Sequence, residues 1–72
     1  MKDYEKKRLK EITMELASLS SIVAVTYIAM SYELGNDGKT SNTTKEQYDY
    51  AIKTMMPLTK EMNNIIYRNR LP

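Results

Sequence analysis

The 72-residue sequence contains no cysteine and no histidine, and it has only two glycines and two prolines. Without cysteine the chain can form neither disulfides nor thiolate metal sites. Without histidine it lacks the commonest metal ligand and the side chain that most often moves protons near neutral pH. We therefore predict no catalytic residues, no metal site and no cofactor, and we do not expect an enzyme. The scarcity of glycine and proline favours long, unbroken elements.

The phosphate-binding loop is the one nucleotide motif that the sequence partly matches. Gly38, Lys39 and Thr40 have the order in which that motif ends. The full motif requires another glycine five positions before Gly38, where this chain has Glu33, and it requires a strand before the loop. A polar turn is the better interpretation, and we predict no nucleotide site.

The small size of the chain predicts that it associates. In a single core of this size, burial worth about 25 cal/mol per Å² nearly cancels an ordering entropy of about 1.5 kcal/mol per residue. Small proteins gain further stability from disulfides, metals or association, and only association is open to this chain. Its composition, 42% hydrophobic and 28% charged, is typical of a folded soluble domain. We therefore expect a cytoplasmic protein.

The first predicted element is a long helix, from about residue 3 to residue 34. Asp3 and Glu5 fall in its first turn, where the helix dipole favours anions. The segment GNDG, residues 35–38, supplies the glycine that commonly follows a helix C-terminus. The loop then runs to about residue 42.

The second predicted element is a helix from about residue 43 to residue 69. Thr43 and Glu46 have the spacing of a capping box at its start. Pro57 removes one backbone hydrogen bond in its middle, so we predict a kink there. The alternative is a complete break with Met56 as the N-cap of a third helix, which is less favourable because methionine cannot accept hydrogen bonds from the free amides. The fold class is therefore all-α, a single antiparallel helical hairpin over residues 1–72.

Each helix carries an apolar stripe that predicts the core of the hairpin. The positions are spaced by threes and fours, as expected at about 100° per residue. On the first helix the stripe contains Leu9, Ile12, Leu16, Leu19, Val23, Tyr27, Met30 and Leu34. On the second helix it contains Tyr48, Ala51, Ile52, Met55, Leu58, Met62, Ile65 and Ile66.

The first helix has a second apolar stripe, roughly opposite the first, where a surface helix normally carries charge. It consists of Met14, Ser18, Ile22, Val25, Ala29 and Tyr32, with Ser21 and Ile28 beside it. One hairpin cannot cover both stripes. We therefore predict that the second stripe is a partner or dimer interface.

Three partners are compatible with the second stripe. A second copy of the chain would form a four-helix bundle, and twofold dimers are the commonest oligomers. A different protein would offer a groove for the anchors of an amphipathic helix. A membrane is the least favoured, because the uncharged run of residues 16–32 extends only about 25 Å as a helix and a hydrocarbon core is about 30 Å thick. The stripe does not distinguish self-association from another protein.

The two ends of the hairpin differ in charge. Residues 2–11 carry five basic and three acidic side chains, and two arginines near the C-terminus bring the net charge of this terminal end to about +4. The remainder of the chain sums to about −2. The terminal end is a candidate anion patch that could contact phosphates, formed by Lys6, Lys7, Arg8, Lys10, Arg68 and Arg70. The competing interpretation is a solvated helix end with intrahelical ion pairs.

These features predict a non-catalytic interaction protein. We expect it to bind a macromolecular partner and to modulate that partner as an inhibitor, adaptor or small regulator. The alternatives are a nucleic-acid-binding protein that uses the basic terminal end and a small single-span membrane protein. Tyr50, a large aromatic residue on the otherwise polar face of the second helix, is a candidate exposed contact.

Overall fold

The computed structural model describes residues 1–70 and consists of two long α-helices packed against each other as a hairpin. Helix α1 spans Asp3–Asp37 and helix α2 spans Asn42–Arg68. The residues between them form a short turn, so the helices run antiparallel. The predicted all-α hairpin is therefore confirmed. The molecule is elongated, with extents of 53 × 21 × 14 Å.

α1 is longer than predicted, because it continues through Gly35 and ends at Asp37, three residues after the predicted end at residue 34. Gly38 is its C-cap, with a φ of 74° and its amide donating to the carbonyl oxygen of Leu34 at 3.1 Å. A left-handed backbone at this position favours glycine, which has no Cβ to clash. The glycine signal was therefore correct, but Gly38 and not Gly35 marks the end.

The predicted capping box at Thr43 is wrong, because Ser41 is the N-cap of α2. The Ser41 hydroxyl accepts a hydrogen bond from the Thr44 amide at 3.2 Å. The Ser41 amide in turn donates to the Glu33 carboxylate on α1 at 2.9 Å. This contact between helices fixes Ser41 at the turn, so α2 begins at Asn42 and the loop is shorter than expected.

Pro57 does not break the second helix. α2 is continuous through this residue, whose side chain is exposed. Because the ring faces solvent, the helix loses one backbone hydrogen bond without disturbing the contact with α1. The break at Met56 is therefore wrong, and the kink stays a prediction.

The buried positions of both helices recur every seven residues. On α1 they are Glu5, Ile12, Leu19 and Thr26. On α2 they are Ala51, Leu58 and Ile65. A seven-residue repeat keeps one seam facing a neighbouring helix when two helices wind around each other, as in a coiled coil. Five residues of this seam form the apolar core of the described chain, flanked by half-buried leucines, methionines and a valine.

The seven-residue repeat corrects three of the predicted core positions. Tyr27 is 62% exposed, and its neighbour Thr26 takes the buried place. Leu34 and Ile66 are also largely exposed, at 54% and 50%. Thr26 can be buried because its hydroxyl donates to the carbonyl oxygen of Ile22 at 2.7 Å, which satisfies its hydrogen-bonding capacity within the helix.

A carboxylate closes the seam at each end of the hairpin. At the terminal end, Glu5 is 6% exposed and accepts hydrogen bonds from the Lys2 amide, Arg68 and Asn69 at 3.2–3.3 Å. At the turn, half-buried Glu33 holds Ser41. Hydrogen bonds to the ionised form lower the pKa of both carboxyls, chiefly that from the Lys2 amide to Glu5 and that from the Ser41 amide to Glu33.

These carboxylates predict acid sensitivity. Glu61, held by the Arg8 guanidinium, also has a lowered pKa. A carboxyl with a lower pKa in the folded chain binds fewer protons when folded, so its contribution is complete above the ordinary value of about 4.3 and is lost as the pH falls through the lower folded value. We expect the melting temperature to be nearly constant from pH 7 to pH 5 and to fall below about pH 4.3.

Circular dichroism melts at pH 3 to 7 test this expectation. Glu5→Gln should make the acid-induced decrease smaller, since it removes one of the carboxylates whose pKa is lowered in the folded chain. Glu46→Gln, at an exposed position on α2, should leave the decrease unchanged. A melting temperature that stays level down to pH 3 in the unmodified chain would contradict the account.

Candidate interaction surface

The outer face of α1 exposes a row of apolar side chains interrupted by two serines. Val25 is 66% exposed at its centre, and Met14 and Tyr32 are 64% and 71% exposed at its two ends. Ile28 is 58% exposed, and Ser18 and Ser21 are also exposed. The row lies opposite the buried seam, as predicted. We call these six residues the outer row.

Two of the predicted stripe residues lie beside the outer row and not within it. Ile22 is 37% exposed and turns toward α2, and Ala29 is half-buried. Their neighbours Ser21 and Ile28 take the outward positions instead. The buried seam determines which side of α1 faces α2. The outward face is therefore rotated by part of a turn from the predicted stripe.

Two shallow recesses lie between the outer row and α2, and Tyr50 borders both. The first, about 390 Å³, is lined mainly by apolar surface from Ile22, Val25 and neighbouring residues, with Gln47 at its edge. The second, about 330 Å³, lies nearer the termini beside Met14 and Ser18. Tyr50 is 64% exposed, so the aromatic ring predicted as an exposed contact stands between two apolar recesses.

A further recess on α2 was not predicted from the sequence. It has a volume of about 660 Å³, a mostly apolar lining, and contributions from Ile52, Met55, Met56 and Lys60. Met55 packs against the core, as its place in the predicted stripe requires, and is half-buried, whereas Met56 is 66% exposed. The adjacent methionines were the available signal, since methionine is frequent on adaptable binding surfaces.

Hydroxyl groups along α1 bond to the helix itself. Ser21 donates to the Ala17 carbonyl oxygen at 3.2 Å, Ser31 to Tyr27 at 3.0 Å and Thr13 to Leu9 at 2.8 Å. A hydroxyl satisfied in this way can be covered by an apolar surface without losing its hydrogen bond. The exposed serine of the outer row that makes such a bond, Ser21, is therefore compatible with a dry interface.

By length and composition, α1 is also apolar enough to cross a membrane, and only 17% of its most apolar stretch is buried. α2 packs along α1 and carries seven charged side chains between Lys45 and Arg68. A single span would therefore require α1 to separate from α2 and to give up the shared core. The exposure of α1 does not distinguish contact with lipid from contact with protein.

Two of the six candidate anion-binding residues form ion pairs with carboxylates of the chain itself. Arg8 forms a two-point ion pair with Glu61, with its Nε and Nη2 atoms at 2.5 and 2.8 Å from the two carboxylate oxygens. Arg68 reaches Glu5 at 3.3 Å. Both arginines therefore join the helices at the terminal end.

The other four candidate anion-binding residues, Lys6, Lys7, Lys10 and Arg70, are exposed. The structure brings them to the same end of the hairpin, as predicted. Tyr4 and Tyr67 lie at this end and are 65% and 74% exposed. Within residues 1–70, no group of three or more acidic side chains could hold a metal ion.

No protein-family model, curated protein or solved structure matches the chain. The interaction surface is therefore interpreted from its own chemistry.

Proposed function

We propose that the chain is a non-catalytic interaction protein that works as a twofold dimer of hairpins and binds a macromolecular partner, whose activity it modulates. The observation that carries the proposal is the exposed outer row of α1. An apolar row of this length on a small soluble domain is a contact surface or an aggregation hazard. A second hairpin packed on it completes a four-helix bundle.

The surface of the single hairpin supports a dimer. A compact monomer of 8.4 kDa should expose about 4,600 Å², whereas the hairpin exposes 5802 Å². Its radius of gyration is 16.3 Å, compared with about 11 Å for a globular chain of this length. A standard interface buries about 800 Å² on each partner. This is most of the difference between the area that the hairpin exposes and the area expected for a compact monomer.

Tyr50 is the residue to which we assign the partner contact. It lies on α2, beside the outer row and between the two recesses. Exposed tyrosines next to apolar recesses are favoured at protein interfaces, since they combine a large apolar area with a polar hydroxyl. A partner side chain that packs on the α2 side of either recess, beside the dimer contact of the outer row, would contact the Tyr50 ring.

Affinity capture with matched baits tests the partner contact. We expect the amount of each protein retained by the unmodified chain to be at least tenfold lower on Tyr50→Ala bait. These proteins should be kept on Tyr67→Ala bait, which removes a tyrosine at the terminal end that is even more exposed than Tyr50. Circular dichroism must show the same helix content in all three chains. Equal retention on the Tyr50→Ala bait would contradict the assigned contact.

The exposed lysines at the terminal end favour a second candidate, a nucleic-acid-binding protein. Four exposed cations on single strands would give an affinity that falls about 50-fold between 50 and 200 mM salt. An apolar groove contact should change little over the same range. A steep salt dependence of partner binding, reduced from about 50-fold to about sevenfold by Lys7→Gln together with Lys10→Gln, would replace the proposed function with this one.

A further inference from the structure

The small and large residues of the outer row are arranged so that two copies of α1 fit each other in one direction. From Met14 to Tyr32 the outward positions are spaced by four and three residues, which is the seven-residue repeat of a helix–helix seam. Two of them, Ser18 and Ser21, are small, and they precede the larger Val25 and Ile28. Between the large residues Met14 and Tyr32 at its ends, the row thus has gaps at Ser18 and Ser21 and protrusions at Val25 and Ile28.

We infer that the second copy packs its α1 antiparallel to the first, about a twofold axis level with residue 23, midway between Met14 and Tyr32. Ser21 then faces the partner subunit's Val25, and Ser18 faces the partner subunit's Ile28. Met14 faces the partner subunit's Tyr32. Every small residue meets a large one, and by symmetry each pair occurs twice. This arrangement specifies the dimer of the proposed function and rests on it.

A parallel dimer would lack this fit. It would place Ser18 and Ser21 against their own copies and Val25 and Ile28 against theirs. Serine facing serine leaves voids, whereas large side chains facing each other hold the helices apart. Interiors are packed as densely as organic crystals, so such voids lose contacts outright. The alternation of size therefore favours the antiparallel direction.

The charges of the two ends favour the same direction. The terminal end carries about +4, and its Lys6, Lys7 and Lys10 are exposed. The end that contains the turn carries a net charge of −2, since residues 33–49 contain four carboxylates and two lysines, Lys39 and Lys45. α1 also has no basic residue in its last turn, where a cation would stabilise the helix dipole. Antiparallel packing brings each basic end beside the partner subunit's acidic end, and parallel packing would set +4 against +4.

Engineered cysteines test the direction, because the native chain has none. Ser18→Cys and Ile28→Cys are made as separate chains, and each is oxidised alone and as a mixture. In the antiparallel dimer, each new cysteine lies about 15 Å along the axis from its own copy, too far for a disulfide. In the mixture, the Ser18→Cys site of one chain lies opposite the Ile28→Cys site of the other.

We expect disulfide-linked dimers in the mixture and fewer than one tenth as many in either chain alone. Ser20→Cys, an exposed serine outside the row, should form none.

Light scattering on the same samples separates the outcomes. A disulfide in the Ser18→Cys chain alone, on a background of stable dimer, would show parallel packing, which overturns the inference and leaves the proposed dimer standing. A stable dimer with no disulfide in any sample would also overturn it, because the seam would then lie elsewhere. A monomer at every concentration would overturn both, and binding of that monomer to lipid vesicles would identify a membrane as the cover.

Discussion

Replacing Ile12 with alanine should strongly destabilise the hairpin and lower its melting temperature. Ile12 is fully buried in the seam, and truncating a buried isoleucine costs about 2–5 kcal/mol. A domain of this length has a total stability of about 4–11 kcal/mol, and the hairpin has only five buried apolar residues within residues 1–70. We expect the melting temperature to decrease by more than about 10 °C.

The control for this prediction is Ile66→Ala on α2. It removes the same atoms from a side chain that is 50% exposed, so the melting temperature should decrease by less than about half as much. Circular dichroism at 222 nm during heating measures both. Equal decreases for the two variants would mean that Ile12 is not at the centre of the core.

Replacing Val25 with glutamate should dissociate the proposed dimer and leave the hairpin folded. Val25 is 66% exposed in the single hairpin, so the carboxylate is hydrated in the monomer. In the dimer two carboxylates would be buried close to the twofold axis without a partner cation, which costs several kcal/mol, or about 100-fold or more in the dissociation constant. Sedimentation or light scattering across concentrations measures the change.

Lys53→Glu is the matched control, because it introduces the same carboxylate at an exposed position on α2. It should leave the dissociation constant within about threefold, as expected for a charge outside the buried interface. If Val25→Glu dimerises as tightly as the unmodified chain, the outer row is not the interface. Unchanged helix content in both variants is required before either result is interpreted.

The helices were predictable from the sequence because their apolar positions recur over many turns. What could not be predicted was where the helices end. The segment from Ser41 to Thr44 offers three hydroxyl side chains as caps, and the choice of Ser41 depends on Glu33, which reaches it from the other helix. Such a contact depends on tertiary structure and has no local signal.

The core assignment erred because the wrong period was applied. A straight helix with 3.6 residues per turn places Tyr27 in the stripe, whereas the seven-residue repeat of two wound helices places Thr26 there. Threonine at a buried position conflicts with a purely apolar pattern. Its hydroxyl bond to Ile22 removes the conflict, but that bond becomes visible only in the structure.

The existence of the outer row was predictable, and its details were not. Apolar residues opposite the core are apparent in the sequence, and so is Tyr50 among charged neighbours. The recesses beside Tyr50 depend on the separation of the two helices. The ion pairs of Arg8 and Arg68 depend on which charged residues the hairpin brings together. Arg8 and Glu61, for example, are far apart in sequence.

If a second copy of the chain covers α1, the purified protein has the solution mass of a dimer. Light scattering should be measured on the purified protein without detergent, over at least a hundredfold range of concentration. The account predicts twice the 8.4 kDa mass of the chain, falling toward the single mass only on dilution or in Val25→Glu. A soluble monomer throughout that range would contradict it.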